Sequence, residues 1–220
     1  MKVGMVTVGQ SPRNDVISEI RGILGELEIV ERGCLDELTR EQIESLKPKA
    51  GEPFLITLLR DGSPVQVSRE KAISLLQQRI KELENEDVTL IVLLCTGDFP
   101  DFRSKKLIIK PGKLIHNIIQ GMLTKENKLG VIIPSSEQIK QTKKKWIDMN
   151  PVVAVASPYE NPEEIEEAAK ILQTENVDLT VVDCIGYTRQ MKQKVKKITG
   201  KSVILPRTIL ARVSREMSEN

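Results

Sequence analysis

Two stretches of this chain can be laid over each other without a gap. Val88-Thr-Leu-Ile-Val-Leu-Leu-Cys-Thr-Gly97 matches Val177-Asp-Leu-Thr-Val-Val-Asp-Cys-Ile-Gly186 at Val, Leu, Val, Cys and Gly, always 89 positions apart. Glu86 and Glu175 keep the same offset. A continuous apolar run of this kind, closed by a turn, reads as a strand buried on both faces. Earlier in the chain, Lys2-Val-Gly4 resembles Lys128-Leu-Gly130, each opening a strand, at an offset of 126. An extra segment in the first half, about residues 34–67, accounts for the difference between the offsets. A self-similar chain is expected to fold as two similar units.

The remaining pattern alternates strands with helices. Val3 to Val8 reads as a strand. Gly9-Gln10-Ser11-Pro12 follows as a loop, with Pro12 suited to a first helical turn, and Asn14 to Leu27 has helical spacing. Leu55 to Leu59 and Val65 to Val67 flank Asp61-Gly62 as a hairpin. Ser68 is placed to cap a helix over Arg69 to Leu83.

In the second half, Leu129 to Pro134, Val152 to Ala156, Leu179 to Val182 and Val203 to Leu205 read as strands. Ser135 and Gln138 have the spacing of a capping box. Asn161-Pro162-Glu163-Glu164 reads as a helix start, and Tyr187 to Ile198 as a helix. A last helix begins near Pro206, and the Ser-Glu-Asn tail is expected to fray. Strands alternating with helices imply βαβ crossovers and mainly parallel sheets. The expected fold is therefore α/β: two pseudo-symmetric three-layer halves over residues 1–115 and 116–205, with a cleft between them. Residues 206–220 form a helix expected to pack back on the first half.

Composition narrows the function. Aromatic residues are 3% of the chain and the net charge is +2. Base-stacking platforms and a phosphate-binding footprint are both disfavoured, so no nucleic-acid partner is expected. The densest basic run, Lys143-Lys144-Lys145, reads as a solvated helix face. Three cysteines without close spacing, Cys34, Cys95 and Cys184, point to thiols in a reducing cytoplasm rather than a disulfide framework. One histidine, His116, and the absence of Cys-x-x-Cys give no metal site. No apolar run is long enough for a signal peptide or a membrane span.

The candidate chemistry lies where strands end. Ligands of open parallel sheets bind beyond the carboxyl ends of the strands. Cys95 and Cys184 fall there, as do Gly9, Gln10, Ser11, Ser135 and Ser136. A thiol opening a helix is biased toward thiolate. Two such thiols could work as acid and base on opposite faces of one carbon. Hydroxyls of Ser11, Thr96, Ser135, Ser136 and Tyr187, with N–H groups of turns containing Gly97 and Gly186, could hold the charge that develops beside that carbon. Arg13 could pair with an anion. Each has a plainer reading: buried cysteines, a cap at Ser135, packing at Tyr187, a surface charge at Arg13, a loop tether at Asp183. Cys34 has no partner in the repeat and reads as passive, and His116 as a helix-surface or interface residue. Asp98 and Asp101 read as caps or terminators of structure after Cys95.

The chain resembles the AroM family through Val6-Thr-Val-Gly-Gln-Ser-Pro-Arg13, Leu55-Ile-Thr-Leu-Leu-Arg-Asp-Gly62, Val67-Ser-Arg69, Gly130-Val-Ile-Ile-Pro134 and Val182-Asp-Cys-Ile-Gly-Tyr187. More distantly, its paired halves are similar to the aspartate/glutamate racemase superfamily. That resemblance implies a cofactor-independent racemase or isomerase acting on a small carboxylate or carbonyl compound. Cys95 and Cys184 would be its catalytic thiols and Gly9-Gln10-Ser11 its first substrate-binding loop, and related racemases often form homodimers. The chain departs from racemases in following Cys95 with Thr-Gly rather than Asn-Thr and Cys184 with Ile-Gly-Tyr rather than a histidine-containing motif. Its first loop also lacks the acidic residue of amino-acid racemases, so a substrate without an ammonium group fits at least as well. A non-catalytic protein that senses a small anionic metabolite is the alternative, and a decarboxylase a variant of the first reading.

Overall fold

The structure, a computed structural model, describes residues 1–161 and 163–218. Pro162, in the expected helix start, and Glu219 and Asn220, in the expected fraying tail, lie outside the described residues. The chain divides into two compact units: Met1–Pro111 with the described part of Leu210–Asn220, and Gly112–Ile209.

The first unit runs β1 (Lys2–Thr7), α1 (Asn14–Leu24), β2 (Glu28–Gly33), α2 (Arg40–Ser45), β3 (Phe54–Leu58), β4 (Pro64–Ser68), α3 (Arg69–Glu84), β5 (Leu90–Leu93) and β6 (Leu107–Ile109). Its sheet has the order β2-β1-β5-β6, every pair parallel. β3 and β4 form a separate antiparallel hairpin, turned at Gly62, whose φ of 84° is one that side-chain-bearing residues rarely adopt.

After α4 (Pro111–Gln120), the second unit runs β7 (Leu129–Ile133), a 3-10 turn (Ser136–Gln138), α5 (Ile139–Lys145), a second 3-10 turn (Ile147–Met149) and β8 (Pro151–Val155). It continues with α6 (Glu164–Thr174), β9 (Leu179–Val182), α7 (Arg189–Thr199), β10 (Ser202–Ile204) and α8 (Pro206–Glu216). Its parallel sheet reads β8-β7-β9-β10.

Leaving out the β3–β4 hairpin, the strands of each parallel sheet, counted in chain order, stand in the same order in the two units, and the central pairs share a register. Val3 pairs with Leu90 and Val6 with Leu93. Their equivalents under the two sequence offsets, Leu129 with Leu179 and Ile132 with Val182, pair in the same way. The main-chain bonds that frame these strands repeat too: Thr89 N to Lys2 O (2.9 Å) and Leu94 N to Val6 O (2.7 Å) become Asp178 N to Lys128 O (2.9 Å) and Asp183 N to Ile132 O (2.8 Å).

Side chains follow the backbone. A Cβ on Gly4 would lie 3.1 Å from the Leu83 methyls, and one on Gly130 would lie 2.9 Å from Leu172 Cδ1. Leu83 and Leu172 are the same position of α3 and α6, and both are fully buried. In each unit the helix comes close enough to the first strand that a glycine faces it.

In the second unit, alternate residues of the sheet face two cores, as the period of a strand requires. Ile132, Ala154 and Val182 pack with Ile165, Ala169 and Leu172 of α6 and Val195 of α7. Val131, Ile133 and Val181 pack with Ile115 and Ile119 of α4 and with Trp146. In the first unit, Val6, Ile91 and Leu93 pack with Ala72, Leu76, Ile80 and Leu83 of α3.

Capping fixes the helix starts. The Ser68 and Thr188 hydroxyls accept from Lys71 N and Met191 N, and Thr39 with Gln42 forms a capping box. Pro111 and Pro206 occupy first helical positions, where a missing N–H costs nothing. Ser135 accepts from Glu137 N and caps the 3-10 turn; α5 begins later, at Ile139.

Candidate functional site

In the second unit, β9 ends at Val182 and the chain turns through Asp183-Cys184-Ile185-Gly186. Three anchors hold this turn. The Asp183 carboxylate accepts from Lys145 Nζ (2.7 and 2.9 Å) and from Trp146 Nε1 (2.9 Å). His116 stacks on Trp146 with ring centroids 5.2 Å apart. The buried Arg207 donates from Nε to Ile185 O (2.9 Å). The Tyr187 hydroxyl donates to Ala156 O (2.6 Å), joining this turn to the loop after β8. Full burial pushes the Tyr187 phenol well above its ordinary value and keeps it a donor.

Cys184 is 8% exposed. Its Sγ lies 3.4 Å from Gly186 N, which donates to it, and 3.7 Å from the Tyr159 hydroxyl. Tyr159, on the loop after β8, carries no pattern that sequence reasoning could have used. The surviving hint is Gly186: a Cβ there would overlap the Tyr159 hydroxyl.

In the first unit, Cys95 follows β5, half-buried against the core that contains Leu93 and Cys34. The loop after β1 is fastened from two sides. The Asp36 carboxylate accepts from Ser11 N (2.6 Å), Ser11 Oγ (2.6 Å), Gly33 N (2.7 Å) and Arg60 Nη2 (3.0 Å). From the hairpin connection, Arg60 also donates from Nε to Ser11 O (2.6 Å), and its N–H donates to Gln10 Oε1 (2.9 Å). Gln10 Nε2 donates to Leu35 O (3.1 Å). Asp36 and Arg60 are the residues sequence reasoning missed here, because their partners lie up to 50 positions away.

Arg13, 2% exposed, is not a surface charge. Nε and Nη2 grip both Asp15 oxygens (2.8 and 2.7 Å), and Nη1 donates to Thr7 Oγ1 (3.1 Å). Its N–H donates to Glu31 (2.7 Å), whose carboxyl is raised from its usual value chiefly by burial.

The family model for the AroM protein matches residues 3–218. The chain belongs to the AroM family. No curated protein matches it in sequence. Solved structures similar to this AroM-family chain include an aspartate racemase from Picrophilus torridus, with TM-score 0.59, 14% identity and coverage of 99% of this chain and 94% of that one. The maleate isomerase Iso from Pseudomonas putida S16 is similar at TM-score 0.60 and 11% identity, covering 96% and 90%. Glutamate racemase from Aquifex pyrophilus is similar at TM-score 0.56 and 15% identity, covering 100% and 84%. The chain therefore has a racemase/isomerase-like α/β fold.

Among the expected site residues of this AroM-family chain, the structure brings Cys184, Gly186 and Tyr187 into one turn. Gly9, Gln10, Ser11 and Arg13 sit together after β1, and Cys95, Thr96 and Gly97 follow β5. Ser135 and Ser136 follow β7. Neither thiol opens a helix. α7 starts only at Arg189, and β6 is the next element after Cys95, because Gly97, Asp98 and Pro100 break the chain there. Among the described residues no three His, Cys, Asp or Glu gather to hold a metal ion, and no helix is long and apolar enough to cross a membrane.

Proposed function

We propose that this AroM-family chain is a cofactor-independent racemase or isomerase of a small carboxylate or carbonyl compound, with Cys95 and Cys184 as its proton-transfer groups. The observation that carries this reading is the equivalence of the two thiols. Each follows the strand that pairs with the first strand of its unit, at the same register. Each lies on the face of the sheet packed by the equivalent helix, α3 or α6. The similarity to racemases and a maleate isomerase supports the reaction class.

In this reading one thiolate removes the proton next to the carbonyl. The electron pair moves onto the carbonyl oxygen as an enediolate, and the other thiol returns a proton to the opposite face. Turn N–H groups stabilise the charge as it develops. A substrate without an ammonium group fits: Asp36, the carboxylate that holds Ser11, already accepts four hydrogen bonds from the protein. Reduced cysteines in a cytoplasmic setting and assembly as a homodimer belong to the same reading.

A protein that senses a small anion is the second reading. The burial of Cys184 favours it, because a buried thiol has little room to exchange a proton with a substrate. Proton exchange separates the two. In D₂O, a panel of small carboxylic acids, keto acids, amino acids and hydantoins is followed by NMR with wild type, Cys95→Ser and Cys184→Ser. The racemase reading predicts exchange with one class of compound, reduced at least 100-fold by either substitution, on the scale of losing a general acid or base. Absence of exchange, with some of the same compounds raising the Tm, would establish the sensor.

A further inference from the structure

The turn that carries Cys184 meets the loop after β8 at two points. Tyr187 donates to Ala156 O from a fully buried position. Tyr159 instead lays its hydroxyl 3.7 Å from Cys184 Sγ and remains half-buried at the rim of the core. The tyrosine is itself placed with care. Its N–H donates to Ser157 Oγ (3.2 Å), and Ser157 N donates to Glu164 Oε2 (2.9 Å), tying the loop to the start of α6. Gly186 leaves the space that the hydroxyl occupies, since a Cβ there would overlap it. The Gly186 N–H reaches the same sulfur at 3.4 Å. A backbone donor and a hydroxyl therefore converge on one thiol.

We infer that Tyr159 is a positioning residue for Cys184: its hydroxyl donates to the sulfur and, with the Gly186 N–H, holds Cys184 as a thiolate at the end of β9. This deepens the proposed proton-transfer reading and rests on it for its catalytic meaning. The contact replaces the helix dipole that this turn lacks. A hydrogen bond to the charged form of a group favours that form, and bonds to an ion are the stronger kind. The other charged groups near the turn are already committed. Asp183 is bound by Lys145 and Trp146, Glu164 by Ser157 N, and Arg207 by Ile185 O. Exchanging Tyr159 for Phe removes one oxygen and leaves all of these in place.

The test is a pH titration of protein labelled with ¹³C at cysteine Cβ, followed by NMR and assigned with Cys34→Ser, Cys95→Ser and Cys184→Ser. It reads each thiol whether or not reagents can reach it. In the wild type, Cys184 should titrate below the ordinary thiol range. In Tyr159→Phe its midpoint should rise by about one pH unit, a roughly tenfold loss of thiolate at any pH below the midpoint. Gly186→Ala keeps the hydroxyl but displaces it and should move the midpoint in the same direction; it decides the question if Tyr159→Phe does not fold. The Cys95 and Cys34 midpoints should stay where they are. A Cys184 midpoint that is the same in the wild type and the folded variant would overturn the inference, as would a wild-type midpoint above the ordinary range. The result is independent of catalysis. A shifted midpoint without proton exchange sinks the racemase reading and leaves the contact standing; exchange that needs Cys184 without a shifted midpoint does the reverse.

Discussion

At the scale of single residues, the molecule separates thiols by environment. Cys34 is fully buried, and burial pushes its thiol far above the ordinary value of 9.0. The folded state keeps this proton where the unfolded chain releases it. Above pH 9 the unfolded state therefore binds fewer protons, and stability falls by up to about 1.4 kcal/mol per pH unit from this one group. Urea unfolding between pH 8 and 10 should show that fall, and Cys34→Ala should flatten it; an unchanged slope would mean that the thiol titrates normally.

Asp36 offers a second residue-scale prediction. Asp36→Ala leaves Ser11 N, Ser11 Oγ, Gly33 N and Arg60 without their acceptor. It should cost about 1.5–3 kcal/mol in denaturant unfolding, the range for hydrogen bonds to a charged group. Tyr187→Phe strands the buried Ala156 carbonyl and should cost about 1–3 kcal/mol by the same measurement. The sequence shows the thiols, because a repeat marks them. It hides Asp36, Arg60 and Tyr159, whose roles arise from contacts between loops that follow different strands and leave no periodic trace.

At the scale of elements, the buried pieces are the legible ones. β1, β5, β7 and β9 are central strands, apolar on both faces, and stand out as continuous runs. The edge strands of the first unit do not. β2 is Glu-Ile-Val-Glu-Arg-Gly with most positions only half-buried, and β6 has three residues. A strand with one neighbour and a wet face needs no apolar run. α2 is short, and its one sequence signal is the Thr39-x-x-Gln42 capping box.

The shared α3 and α6 packing makes a paired prediction. Leu83 and Leu172 each fill the space over a glycine of the first strand. Leu83→Ala and Leu172→Ala should each cost about 2–5 kcal/mol, the range for emptying a packed core site. A cost near zero for either, measured by urea unfolding, would show that the two helices are not packed alike.

At the scale of the whole chain, two units of identical strand order and register each end an equivalent strand in Cys-x-Gly. They differ in what surrounds that strand. The first unit inserts α2 and the β3–β4 hairpin between β2 and α3, whereas the second passes from β8 to α6 through a short loop. The second places α7 after its thiol, where the first has an irregular segment before β6. The two thiols therefore have unlike surroundings, as groups with opposite roles in one proton transfer would need. The most direct test of that claim is peptide-resolved alkylation of Cys95 and Cys184 with and without a compound that exchanges its proton in D₂O. The account predicts that one compound, over one concentration range, slows the alkylation of both thiols. Protection of only one thiol, or of neither, would contradict it.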